Sequence, residues 1–269
     1  MTAPGQSRRA PDAEDGGPGA DLVRTVEGFA VPGFRAHITG SSLAGAGYAV
    51  AAWSIGDMPP MTCALAGGLC AMAGMLPDLD SESGTSLKES VAFAAALVPL
   101  LMLQRLLQMG LPIEGVILTG AALYLALRFG MTWMLENHST ERGMFHSLPA
   151  ALIAGLITFL AYSSDDPLRR YFLASAVIIG FLTHLVLDEI WAVKEGNFGP
   201  KQKKAFGTAL KFHGPEAWSN LLTYVLVVVL GGLAAIDASR SEQKHVIRQQ
   251  MEQAYRSVPG MQAPWQYRR

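Results

Sequence analysis

The chain is short of charge. Only 16% of its 269 residues are Asp, Glu, Lys or Arg, against about a quarter in an ordinary soluble domain, and the mean hydropathy is +0.25. Such a deficit argues against a water-soluble surface and points to a bilayer. The formal net charge is -1, so no global basic field attracts nucleic acid. Nor do the aromatic residues alternate with Lys and Arg as a base-stacking surface requires, and a nucleic-acid partner is set aside. Cysteine is scarce: Cys63 and Cys70 share one apolar run, seven positions apart. On a helix they lie two turns apart on roughly one face, too far for a mutual disulfide, and are expected to serve packing. An apolar segment that could serve as the core of a cleavable secretory signal is also missing before Ile38. Residues 1–35, rich in Pro, Gly, Ala and charge, are expected to form a disordered N-terminal tail.

What the chain does have is apolar length. Seven stretches stand out: Ile38 to Gly56, Pro60 to Leu76, Leu87 to Met109, Leu111 to Leu135, Met144 to Tyr162, Leu168 to Trp191 and Ala217 to Ile236. Each is near the roughly 20 residues a spanning helix needs, and no short strand alternation competes with them. The expected fold is all-α, a polytopic membrane helix bundle of about seven transmembrane helices over residues 36–236, with the second the shortest. Gly45, Gly47, Gly67, Gly68 and Gly74 crowd the first two stretches, and small residues let helix backbones approach closely in lipid. Residues 237–269 are expected to form an amphipathic, then flexible, C-terminal tail, because Ile247, Met251 and Ala254 fall at i, i+4 and i+7.

The titratable residues gather at the ends of these stretches, where they are costly without a partner or a task. His184 and Asp188 are spaced i, i+4, so on a helix an imidazole nitrogen and a carboxylate oxygen can reach one ion. A His-Asp hydrogen bond closing the helix is the structural alternative. His146 follows Arg142 and Gly143 at the start of the fifth stretch, where it serves either as a ligand or as a solvated helix-end residue. His138 and Glu141 lie one turn apart if their connection is helical, and Arg142 suits an anion or a neighbouring carboxylate. Asp78 and Asp80 alternate around Leu79 after Pro77, one able to bind and one to orient a ligand, or both simply part of an acidic turn. His37 opens the first stretch.

Topology is what joins them. Counting from a cytoplasmic N-terminus puts His37, Asp78, Glu141 and Asp188 on the cytoplasmic face, together with the Lys-rich connection after Trp191, as the positive-inside rule prefers. Arg169, Arg170 and the basic tail then fall on the other side. Three His and at least two Asp from four segment ends thus converge on one membrane face. Buried imidazoles and carboxylates need neutralisation, and a divalent ion supplies it. A mixed His and carboxylate set suits Zn, or Mn, better than a thiol-preferring metal.

The motifs together resemble the family of LexA-regulated, inner-membrane metal-dependent hydrolases (YdjM-like). In order, that pattern has an early His, then LPD-[IL]-D, then HRG-x-x-HS-[LI], then G-x-x-x-H-x-x-x-D. Here it runs as His37; MLPDLD with Asp78 and Asp80; ERGMFHSL with Arg142, Gly143, His146 and Ser147; and GFLTHLVLD with Gly180, His184 and Asp188. One position departs. Glu141 stands where the family has the first His of HRG, and His138 lies one turn earlier. Glu141 as oxygen ligand or base, His138 as the substitute, and an impaired site are the three alternatives. There is a looser likeness to the helical zinc-dependent phospholipases C, which use similar His-x-x-x-Asp pairs.

The resemblance implies a multi-pass inner-membrane hydrolase. His37, Asp78, His138, His146, His184 and Asp188 are the candidate metal ligands, and Glu141, Asp80 and Arg142 the candidate catalytic residues. In this reading the ion activates water and polarises an acyl or phosphoryl oxygen, Glu141 or Asp80 handles the proton, and Arg142 steadies an anionic group. The expected partners are the lipid bilayer and a lipid-borne or small-molecule ester or phosphoester. Two other classes fit the same residues: a transporter or ion-handling protein whose polar groups line a path, and an inactive scaffold that kept the metal. A transporter predicts polar residues at mid-depth, and these stretches hold chiefly Arg105 and Arg128 there.

Overall fold

The computed structural model describes residues 23–26, 29–32, 34–56, 58–80, 85–138, 144, 146–164, 166–196, 211–214 and 216–257, with the side chains of 23–35, 79–80, 85–90, 134–138 and 192–196 set aside. Seven α-helices are present among these residues: α1 (Phe34–Ile55), α2 (Pro60–Ala73), α3 (Thr85–Gln108), α4 (Ile113–His138), α5 (Leu148–Ala161), α6 (Pro167–Gly196) and α7 (Ala217–Ser257). A 3-10 turn, Pro77–Asp80, follows α2. Before α1, β1 (Val23–Val26) pairs antiparallel with β2 (Phe29–Pro32), inside the stretch expected as a disordered tail.

The chain is a helical membrane bundle, but its span count is lower than seven. Four helices of the described chain are long and apolar enough to cross a membrane: Val91–Gln108, Ile113–Trp133, Pro167–Trp191 and Ala217–Ser257. Helices α2 and α5 have 14 residues each, about 21 Å at 1.5 Å per residue, short of a hydrocarbon core of about 30 Å. The 22 residues of α1 have the length, but its Gly, Ser and Ala dilute the apolar character. Apolar length and apolar composition are separate properties of these helices, and spanning needs both.

The core sits where α1, α2 and α6 meet. Thr62, Cys63, Ala66, Leu69, Cys70 and Ala73 are buried on α2 and recur every three or four residues, forming one stripe. Against it pack Phe172, Leu173, Ala176 and Val177 of α6. Small residues set the distance. A Cβ on Gly45 would lie 2.6 Å from the Gly67 carbonyl oxygen, and one on Gly180 only 1.9 Å from that of Cys70. Both cysteines are free, buried core residues. Helix α3 turns into α4 through Gly110, whose φ of +80° is the left-handed conformation that glycine adopts without penalty. Leu118, Leu125, Phe129 and Trp133 of α4, with Val225, Val228 and Leu233 of α7, are exposed. They form the lipid-facing surface of a bundle whose external solvent is apolar.

Helix α7 runs unbroken across residue 236, where the last apolar stretch was expected to end. It starts on the side of Met144, whose sulfur accepts from the Gly214 N–H. Further along, Ala234 packs on Phe159 and Ala174, and Asp237 meets Arg170 at the far end of α6. The helix therefore crosses the bundle rather than re-entering on one side.

Candidate metal centre

Local sequence explains why each polar side chain arrives at one place. His37 is in the first turn of α1. Ser41, one turn on, is fully buried, its hydroxyl 2.8 Å from the His37 carbonyl and 2.9 Å from that of Ala71, so its one proton ties α1 to α2 beside the ring. Pro77 starts the 3-10 turn that carries Asp78. Ser147 is the N-cap of α5: its hydroxyl accepts from the Ala150 N–H, and Pro149 occupies the first turn, where a missing N–H costs nothing. That cap holds His146 just outside the helix. His184 and Asp188 are one turn apart on α6, facing the same way.

The five side chains form one buried cluster. His184 Nε2 lies 3.4 Å from Asp78 Oδ1 and 3.4 Å from Asp188 Oδ2. His37 Nε2 lies 3.2 Å from Asp188 Oδ1. His146 Nε2 is 3.7 Å from Asp78 Oδ1 and 3.9 Å from Asp188 Oδ2. The His37 and His184 rings stack with centroids 3.7 Å apart, and His146 meets His184 edge-on. All three histidines are buried, His184 completely. Two triads share His184: His37, His184 and Asp188, and Asp78, His146 and His184, each with its ligand atoms within 4.8 Å of one another.

The orientation of His184 decides what the cluster can do. Its Nδ1 is 2.7 Å from the Gly74 carbonyl oxygen, which accepts only, so Nδ1 carries the proton and Nε2 turns a lone pair toward the carboxylates in the neutral ring. A ring nitrogen fixed in this way by a backbone carbonyl is the usual support of a metal-binding imidazole. His184 Nε2 and Asp188 Oδ1 are both buried without a hydrogen-bond partner among the described residues. A protonated imidazole would close on a carboxylate to about 2.7–2.9 Å. The observed spacing is wider, and resembles the roughly 3.3–3.4 Å between two ligand atoms each about 2.0–2.1 Å from a tetrahedral ion. The donor set, imidazole nitrogen and carboxylate oxygen, fits one or two divalent ions of the zinc class.

The remaining candidates are elsewhere or outside the described chain. His138 is the last residue of α4, its side chain among those set aside. The same holds for Asp80, at the end of the 3-10 turn. Glu141 and Arg142 lie outside the described residues. Sequence reasoning missed the Gly74 carbonyl, because a backbone acceptor carries no residue signature. It also missed a second polar cluster. Arg105, expected at mid-depth, forms a two-pronged pair with Asp237 of α7 at 2.8 and 3.3 Å, and Arg170 bonds the same carboxylate. An Asp just past an apolar run, with arginines near two other helix ends, was the available signal.

A family model described as YdjM inner membrane protein matches residues 36–248. No curated protein and no solved structure matches the chain.

Proposed function

The chain belongs to the YdjM inner membrane protein family, and on that premise we propose that it is a metal-dependent hydrolase acting on an ester or phosphoester at the membrane face. The observation that carries the reading is His184 Nε2, buried, turned to the carboxylates by the Nδ1 contact with the Gly74 carbonyl and 3.4 Å from oxygens of both Asp78 and Asp188. His37, Asp78, His146, His184 and Asp188 would hold the ion, with His138 a further candidate. When bound, a divalent ion of the zinc class supplies Lewis-acid polarisation of an acyl or phosphoryl oxygen and makes water more acidic. The two carboxylates balance its charge, and the Gly74 carbonyl keeps His184 in the binding tautomer. Glu141 or Asp80 takes the proton of the attacking water at a carboxylate oxygen, and Arg142 steadies an anionic group of the substrate.

The filling of the bundle favours a site over a permeation path. Leu173, Ala176, Val177 and Phe181 are buried on α6 between Arg170 and His184, and that stretch of α6 carries no charged side chain. We assign the His/Asp face to the cytoplasm because the connection before α7, with Lys201, Lys203, Lys204 and Lys211, shares it. The basic residues at the other end converge on a single cleft instead, described below.

The full chain, purified in detergent and reconstituted with Zn or Mn, is expected to retain stoichiometric metal that His184→Ala and Asp188→Ala lose. It is also expected to turn over at least one member of an ester and phosphoester panel. Wild-type protein without stoichiometric metal would sink the proposal. Metal without turnover, with hydrolysis gained in Glu141→His, would instead identify a scaffold whose activity decayed at that position.

A further inference from the structure

At the opposite end of α6 is a cleft of about 360 Å³ lined by five cationic side chains, Arg105, Arg170, Arg240, Lys244 and Arg248, and by one carboxylate, Asp237. Arg170 sits 14 residues before His184, about 21 Å away along the helix. The cleft is therefore separate from the metal centre, and nothing about it depends on the hydrolase reading.

The cations are placed against their own repulsion. Arg240, Lys244 and Arg248 follow one another at i, i+4 and i+8 on α7, where like charges destabilise a helix. Asp237 is already shared by Arg105 and Arg170, and Glu252 faces Arg248 at 3.6 Å. Among the described residues Arg240 and Lys244 have no carboxylate partner. Arg170, 2% exposed, is locked in place: it donates to the Phe159 carbonyl at 3.0 Å and to Ser241 Oγ at 3.3 Å, and its guanidinium lies 4.0 Å over the Phe159 ring. Yet the Nε donors of both Arg105 and Arg170 are buried without a hydrogen-bond partner among the described residues. The hydroxyls of Ser163 and Ser164 complete the lining.

Depth gives the chemical class. From Ala217 to Asp237 α7 rises about 30 Å, the thickness of the hydrocarbon core, so the cleft opens at headgroup level. Guanidinium forks, an ammonium and hydroxyls at that height suit a tetrahedral oxyanion. We propose that this cleft is a binding site for a phosphate group, held by Arg105 and Arg170 from within the bundle and by Arg240 and Lys244 from α7.

The test uses the full chain in a neutral maltoside detergent. Thermal melting is followed with phosphatidylglycerol against phosphatidylcholine at equal mole fraction, and with sodium phosphate against sodium chloride at equal ionic strength. Wild type is expected to be stabilised by the anionic additive over its control, and R240A/K244A to need at least tenfold more of it, while R240K/K244R keeps the response. Should R240A/K244A fail to fold, Arg240→Gln and Lys244→Gln alone are expected to lose about threefold each. Stabilisation by phosphatidylglycerol alone identifies a lipid headgroup, and stabilisation by phosphate alone a soluble ligand. No difference from either control, or full response in the variants that remove charge, overturns the proposal.

Discussion

Gly180→Ala tests whether helix packing, rather than the ligands alone, sets the geometry of the His/Asp cluster. A Cβ at this position would lie 1.9 Å from the Cys70 carbonyl oxygen, 2.7 Å from its carbon and 2.9 Å from its Cα. The obstacle is backbone, so no side-chain rotation relieves it. Reaching even 3.0 Å, the shortest approach real Cβ atoms make, requires α2 and α6 to part by about 1.1 Å. One turn further along the same contact, Gly74, the C-cap of α2, accepts from His184 Nδ1 of α6 at 2.7 Å. The same retreat would take that bond beyond hydrogen-bonding range. Overpacking costs about 1–3 kcal/mol and a buried polar group left unpaired about 1–3 more. A loss of roughly 2–6 kcal/mol is expected, a drop of roughly 4–24 °C in Tm for a domain of this size. Freed from Gly74, His184 loses its fixed tautomer, and metal affinity should fall about 10–100-fold, the usual effect of removing such a support. Melting of the purified protein and a competitive metal titration measure the two effects. A Gly180→Ala protein with unchanged Tm and unchanged metal affinity would refute the reasoning.

Three further outcomes follow from the same contacts. Ser147→Ala removes the α5 cap, costing about 1 kcal/mol, and should weaken metal binding less than His146→Ala, since it moves the ligand without deleting it; equal losses in a titration would contradict the assignment. Stripping metal with a chelator should lower Tm, because an ion at a hundredfold excess over its Kd stabilises the folded state by about 2.7 kcal/mol; identical melts of stripped and loaded protein count against the centre. Asp237→Asn leaves Arg105 and Arg170 together without their carboxylate, and should destabilise by up to the about 3–5 kcal/mol of a buried pair. A wild-type melting curve for that variant would show that Asp237 is not needed to balance them.

Most of the fold was legible because membranes constrain chains strongly: long apolar runs had to become helices, and helices they are. The span count was not legible, because apolar length alone does not distinguish α2 and α5, which stop after 14 residues, from helices that cross. Pro77 after α2 and the HSLP cap before α5 were the marks of those ends. The approach of His37, Asp78, His146, His184 and Asp188 was legible for a topological reason. Alternating helices bring every second connection to one face, and i, i+4 spacing adds the last pair. What sequence could not show was the atom-level support. A Gly74 carbonyl, a Ser41 proton shared by two carbonyls, and a Gly180 that exists to admit Cys70 are all backbone contacts made by the three-dimensional packing.

The short helices also position the centre in depth. Helices α2 and α5 rise about 21 Å from ends on the Arg170 side, while the hydrocarbon core is about 30 Å thick. With their other ends set at one interface, their site-side ends, which lead into Asp78 and follow His146, would stop about 9 Å short of the other. Helices α3 and α6 contact the turn that carries Asp78, and α6 and α7 pack on α5, with His184 completely buried. Charged groups recessed this far are expensive unless neutralised, which is why two carboxylates and three imidazoles there call for a cation more strongly than the same set at a wet surface would. The recess also sorts what can approach. A water-soluble ester must leave bulk solvent to reach His184, whereas a substrate with an apolar tail enters with its tail already in lipid and pays little to bring its polar bond down. On this reasoning the proposed hydrolase should prefer long-chain over short-chain esters or phosphoesters of the same headgroup. The preference should reside in KM more than in kcat, because the tail contributes binding that is equal in ground and transition states.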